Sequence, residues 1–132
     1  LSYDISSRMQ FFTDAGMFTI TAGIYPKKEF SVIKTIDKEI DKIRSKKVAE
    51  AELRRIKEFM LGNFRLSHER VVSKLFFYGS TLLSYGRLMT TDEQVEAVKS
   101  VTSDDVLGVA REIFDSANGS YSRVVPKISN VG

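Results

Sequence analysis

The 132-residue sequence predicts an α+β domain with helices packed on one face of a sheet. Three observations predict it. Two runs near the N-terminus alternate apolar and polar residues, the period of half-buried strands. Over most of residues 26–114, apolar residues recur every three to four positions, the period of amphipathic helices. A short run at 121–125, ending in two valines, follows the strong turn signal Asn118-Gly119.

Residues 3–11 give the first strand, with Tyr3, Ile5, Met9 and Phe11 on one face and Asp4, Ser6, Arg8 and Gln10 on the other. Thr13-Asp14-Ala15-Gly16 is a turn in which Gly16 can take positive φ. Residues 17–25 form the returning strand of an antiparallel hairpin, with Phe18, Ile20, Ala22 and Ile24 sharing a face. Pro26 ends that strand and suits the first turn of a helix. Phe30, Ile33, Ile36, Ile40 and Ile43 supply the helix's buried stripe, and Ser45-Lys46-Lys47 closes it with bases at the negative end of the dipole.

A second helical pattern starts near Ala49. Its apolar face runs through Leu53, Ile56, Phe59, Met60, Phe64, Val71, Val72, Leu75 and Phe76 towards Leu83. About 35 residues is long for one globular helix, so a bend or break is expected at Gly62 or at Ser67-His68-Glu69. Tyr85-Gly86 ends the pattern. Thr91 with Gln94 reads as a capping box opening a helix to about Ser100, and Thr102 with Asp105 repeats the device. Val106, Val109, Ala110, Ile113 and Phe114 then form a last buried stripe. Residues 121–125 are the final short strand, and a polar tail follows from Pro126. No repeat or linker divides the chain, which reads as one partial domain over 1–132. Three strands make a poor independent sheet, so an exposed edge is expected where further strands belong.

Composition narrows the function. Apolar residues make up 42% and charged residues 28%, an ordinary balance for a soluble domain. The net charge is only +3, and acids are interleaved with the bases, including along the charge-rich stretch 38–57. That stretch reads as a solvated helix face, and no nucleic-acid partner is expected. No run approaches the ~18 apolar residues of a membrane span. Cysteine is absent, which excludes disulfide and thiolate chemistry. The absence suits a reducing compartment and many periplasmic proteins alike. Localisation therefore stays open, with the bacterial cytoplasm or periplasm favoured over the mitochondrial matrix. Leu1-Ser2-Tyr3 opens directly into a strand with nothing like a signal peptide before it, so the start reads as a cut inside a longer protein.

The inventory of reactive groups is short. A zinc hydrolase brings two or three His or carboxylate ligands onto one metal. This chain has one histidine, so neither HExxH nor HxxEH can be present, and no metal ligand is assigned. His68 reads as a bend residue on the long helical stretch. No Gly-x-Ser-x-Gly elbow or glycine-rich phosphate loop appears. Asp92-Glu93 and Asp104-Asp105 sit in first helical turns, where carboxylates cap and favour the dipole, so they are not an acid–base pair. Phe76, Phe77, Tyr78 and Tyr85 read as an aromatic cluster packed in the core. Asn118-Gly119-Ser120 fits a glycosylation acceptor, but a turn is role enough for it. No catalytic residue is expected.

The order of landmarks resembles something more specific. Leu1-Ser2-Tyr3 runs into Asp4-Ile5-Ser6-Ser7, and Asp14-Ala15-Gly16-Met17-Phe18 leads to Ala22-Gly23. Glu52-Leu53 opens a helix carrying Lys57, Leu61-Gly62, Leu66-Ser67 and then Glu69. Leu82 to Gly86, Asp92-Glu93, Val101-Thr102 and Asp105-Val106 follow, closing on Ala110-Arg111-Glu112-Ile113-Phe114. Over nearly the whole chain this succession resembles the pitrilysin-type (inverzincin) zinc peptidases. They include insulin-degrading enzyme, the mitochondrial processing peptidases and bacterial processing proteases.

The resemblance implies a processing-peptidase-like metallohydrolase fold: a mixed, mostly antiparallel sheet with helices on one face. The chain would be the C-terminal portion of one repeat domain. In this family paired domains enclose a chamber, and zinc is held by HxxEH and a later glutamate that precede the matched segment. Zinc is therefore expected in the parent protein and no cofactor in this chain. In the family's zinc-free domain, a tyrosine matching Tyr3 grips the substrate together with an upstream arginine. Tyr3 is thus either a strand-core aromatic or a substrate contact. Ser2 stands for the usual alanine without consequence, and Arg8, on the other strand face, does not replace the arginine. The expected role is scaffold and chamber wall of a peptide or presequence endopeptidase, inactive alone. Expected partners are the missing half-domain or partner domain, the parent's peptide substrate, and a second copy through the open sheet edge. A non-catalytic assembly subunit sharing the fold is the alternative, and a basic module binding acidic partners a third.

Overall fold

A computed structural model describes residues 2–115 and 119–125, with residues 2 and 3 as backbone only. The turn expected at Asn118 and the tail from Pro126 fall outside the described residues. The chain forms two compact units, one from Leu1–Ser45 with Ala110–Gly132 and the other from Lys46–Val109.

The first unit begins with the expected hairpin. Strands β1 (Ser2–Phe11) and β2 (Gly16–Ile24) pair antiparallel in register from Asp4 opposite Gly23 to Phe11 opposite Gly16. The Phe12 N–H donates to the Ala15 carbonyl at 2.8 Å and closes the turn. Phe18, Ile20, Ala22 and Ile24 are half-buried, as the alternation predicts. Phe18 meets Phe114 edge to face at 5.0 Å, a favoured aromatic geometry. A 3₁₀ turn at Pro26–Lys28 leads into α1 (Glu29–Ser45). The apolar stripe of α1 is Val32, Ile33, Ile36, Ile40 and Ile43, with Val32 fully buried. Phe30, expected in the stripe, is 80% exposed. At 3.6 residues per turn it lies well round the helix from Ile36 and Ile40.

The final strand does not form. Residues 121–125 take no regular structure, and the sheet of the described residues has only β1 and β2. A strand exists only as a ladder with a neighbour, and among the described residues none runs beside this segment. Side chains hold it instead: Glu29, at the start of α1, accepts from the Tyr121 hydroxyl at 2.8 Å and the Arg123 guanidinium at 3.1 Å. The Arg111 Nε donates to the Arg44 carbonyl at 3.1 Å, satisfying one of the orphan acceptors at the end of α1.

In the second unit the long helical pattern breaks where Ser67-His68-Glu69 predicts. Helix α2 (Glu50–Ser67) stops and α3 (Val71–Tyr85) restarts after three residues, whereas Gly62 passes unbroken. The ladder tightens there: the Glu69 and Arg70 N–H groups donate to the carbonyls of Leu66 and Ser67 at 3.3 Å, three residues back. Two side chains crowd the carbonyl before them. The Phe64 oxygen receives the Ser67 hydroxyl at 2.8 Å, the His68 N–H at 3.1 Å and the His68 ring Nδ1 at 3.0 Å. Gly86 terminates α3 in the left-handed region at φ 67°, its N–H donating to the Leu82 carbonyl at 2.9 Å. Helix α4 (Thr91–Ser100) is capped by Thr90 with Glu93, one residue earlier than the sequence suggests. Thr90, which also opens the T-x-x-E spacing, is the residue in extended conformation, and both bonds of the box form. The box at Thr102 and Asp105 opens α5 (Ser103–Ile113) as expected.

Few apolar side chains are fully buried: among the described residues, Val32, Leu53 and Ala110. Several positions expected inside are exposed, including Phe59, Met60, Val71, Val72, Leu75, Phe76 and Leu83. Val109 and Ile113 of the α5 stripe are exposed too, while Val106, Ala110 and Phe114 are not. Periodicity shows which face of a helix is apolar, and nothing among the described residues covers these faces. Of the four aromatics read as one cluster, Phe77 and Tyr78 pack together at 5.3 Å, while Phe76 and Tyr85 face solvent.

Candidate functional site

Tyr3, the residue marked for substrate, lies at an irregularity in the hairpin. Ser2 faces Ile24 and Asp4 faces Gly23, so β1 carries one residue more than β2 across this step. Bulges are enriched beside active sites. The Tyr3 side chain itself lies outside the described residues. Gly23, opposite the bulge, has open space where a Cβ would stand. Arg8 pairs with Thr19, further along the strand.

His68 is held inward at the α2–α3 corner, not presented to a ligand. Its ring lies 4.0 Å from Phe64 and 4.8 Å from Phe77, and its Nε2 is buried without a hydrogen-bond partner. Among the described residues no three His, Cys, Asp or Glu side chains converge as metal ligands. The described residues do not fit a zinc site.

The acidic pairs cap and bridge. Asp105 is held below the ordinary carboxylate range by the Thr102 hydroxyl first and the Thr102 N–H second. Glu93 is lowered by the Thr90 N–H, then by Arg87 at 2.9 Å. Asp104 forms an exposed ion pair with Lys47 at 2.8 Å. Donors that hold the ionised form leave a carboxylate a poor general base.

Two polar clusters had no local signal. Glu29 is lowered by the Tyr121 hydroxyl and then by Arg123, and it raises the Tyr121 phenol in return. An acid in a first helical turn is legible in sequence; its partners 92 and 94 residues away are not. Ser103, only 3% exposed, places its hydroxyl 2.9 Å from the Val48 carbonyl and 2.7 Å from a Glu50 carboxylate oxygen. It ties the start of α5 to the start of α2. Both clusters are anchors, without the cleft a substrate needs. No helix among the described residues is long and apolar enough to cross a membrane.

Comparison with known proteins supplies what the site does not. No family model matches the chain. An "uncharacterized zinc protease" of Rickettsia felis is 29% identical over 120 residues, 91% of this chain. Zinc proteases of Streptomyces coelicolor and Bacillus subtilis are 29% and 30% identical, each over 86% of the chain. The chain spans only 29%, 25% and 28% of the length of these three relatives, in that order. Among solved structures, the periplasmic protease PqqL from Escherichia coli superposes with a TM-score of 0.68 at 16% identity. That match covers 86% of this chain and 13% of PqqL, and it shows a shared fold. The α+β fold and the resemblance to pitrilysin-type peptidases are both borne out.

Proposed function

From a chain of pitrilysin-type zinc-peptidase stock, we infer that the protein is scaffold and chamber wall of a zinc metallopeptidase cutting peptides or presequences. The supporting observation is the sequence similarity to proteins described as zinc proteases over 86–91% of the chain. The described residues form no zinc site, so the metal and its activated water belong to another part of the parent. This segment then contributes the substrate-gripping side. Tyr3, at the bulge, is its contact: a phenol can donate a hydrogen bond to the oxygen of a carbonyl under attack. The free edges of the β1–β2 hairpin are completed by strands of the missing half-domain.

The test uses the protein encoded by the whole reading frame around this sequence. Its peptidase activity is expected to vanish with a zinc chelator and return with zinc. Tyr3→Phe is expected to lower kcat/KM by about 10²–10³, the usual cost of one oxyanion donor, with KM little changed. Wild-type turnover in Tyr3→Phe would make Tyr3 a strand residue only. A whole protein with no HxxEH and no zinc-dependent cleavage, alone or with its partner subunits, would move the reading to a structural subunit.

A further inference from the structure

We draw no further inference here: the strongest candidate, the open apolar cleft between α2 and α4 lined by Met60, Leu61, Phe64 and Val98, carries nothing because nothing in the structure shows what covers it, in a chain that spans only 25–29% of the length of the relatives it matches.

Discussion

Replacing Ser103 by alanine tests whether the second unit is tied together by a buried hydroxyl or by its visible ion pairs. The hydroxyl has a single proton to give, so its contacts at 2.9 Å to Val48 and 2.7 Å to Glu50 amount to one donated bond and one polar contact. Alanine leaves the half-buried Val48 carbonyl facing a methyl group without its donor, while the exposed Glu50 carboxylate can turn to water. Leaving such groups unsatisfied costs roughly 1–3 kcal/mol, and about 2 is expected here. The neighbouring Lys47–Asp104 pair looks stronger on paper at 2.8 Å, but its side chains are 58% and 71% exposed. Lys47→Ala should therefore cost less than about 0.5 kcal/mol. Urea unfolding followed by far-ultraviolet circular dichroism reads both. With a slope of about 1–2 kcal/mol per molar, Ser103→Ala should lower the midpoint by roughly 1–2 M, and Lys47→Ala should barely move it. Equal midpoints for the two variants, or a larger loss for Lys47→Ala, would refute this reasoning.

Leu53 is 7% exposed and the one fully buried large aliphatic of the second unit's described residues. Leu53→Ala should cost about 2–4 kcal/mol in the same assay, against a much smaller cost for Phe59→Ala, 69% exposed and well round α2 from Leu53. Stability should also fall in acid. Glu29, Glu93 and Asp105 have folded pKa values depressed by their hydrogen bonds. Their stabilisation is thus fully present above the unfolded carboxylate values and is lost as pH falls through the folded ones. The urea midpoint should be flat near neutrality and drop below about pH 4.5. The Tyr121 phenol is raised by Glu29, so its share is present below the free-phenol value and lost as pH rises through the folded one.

Much of the fold was legible because its signals are local. Alternation places both strands to within a residue, and Ser67-His68 marks the break with side chains that bond a backbone carbonyl at the helix end. The cap of α4 slipped by one because Thr90 and Thr91 each precede a plausible N3 partner, and only backbone conformation separates them. The strand at 121–125 failed for a different reason. Its residues suit a strand, but a ladder needs a neighbour that the described residues do not supply. The periodicity marks Phe30 and Phe76 as core and both are exposed, because hydrophobicity reports what a side chain prefers to contact, not whether anything lies against it. The candidate site was less legible still. Tyr3 came from resemblance alone, and the bulge that sets it apart is a register fact with no single-residue signature.

The corner between α2 and α3 also carries its own reporter. His68 is the chain's only histidine, and its ring stands 4.0 Å from one phenylalanine and 4.8 Å from another. Its two carbon-bound ring protons therefore feel ring currents from both neighbours and should resonate away from free-imidazole positions. With no second histidine to overlap them, these lines can be followed in unlabelled protein. They would show, at one corner and in real time, whether the helical unit is assembled.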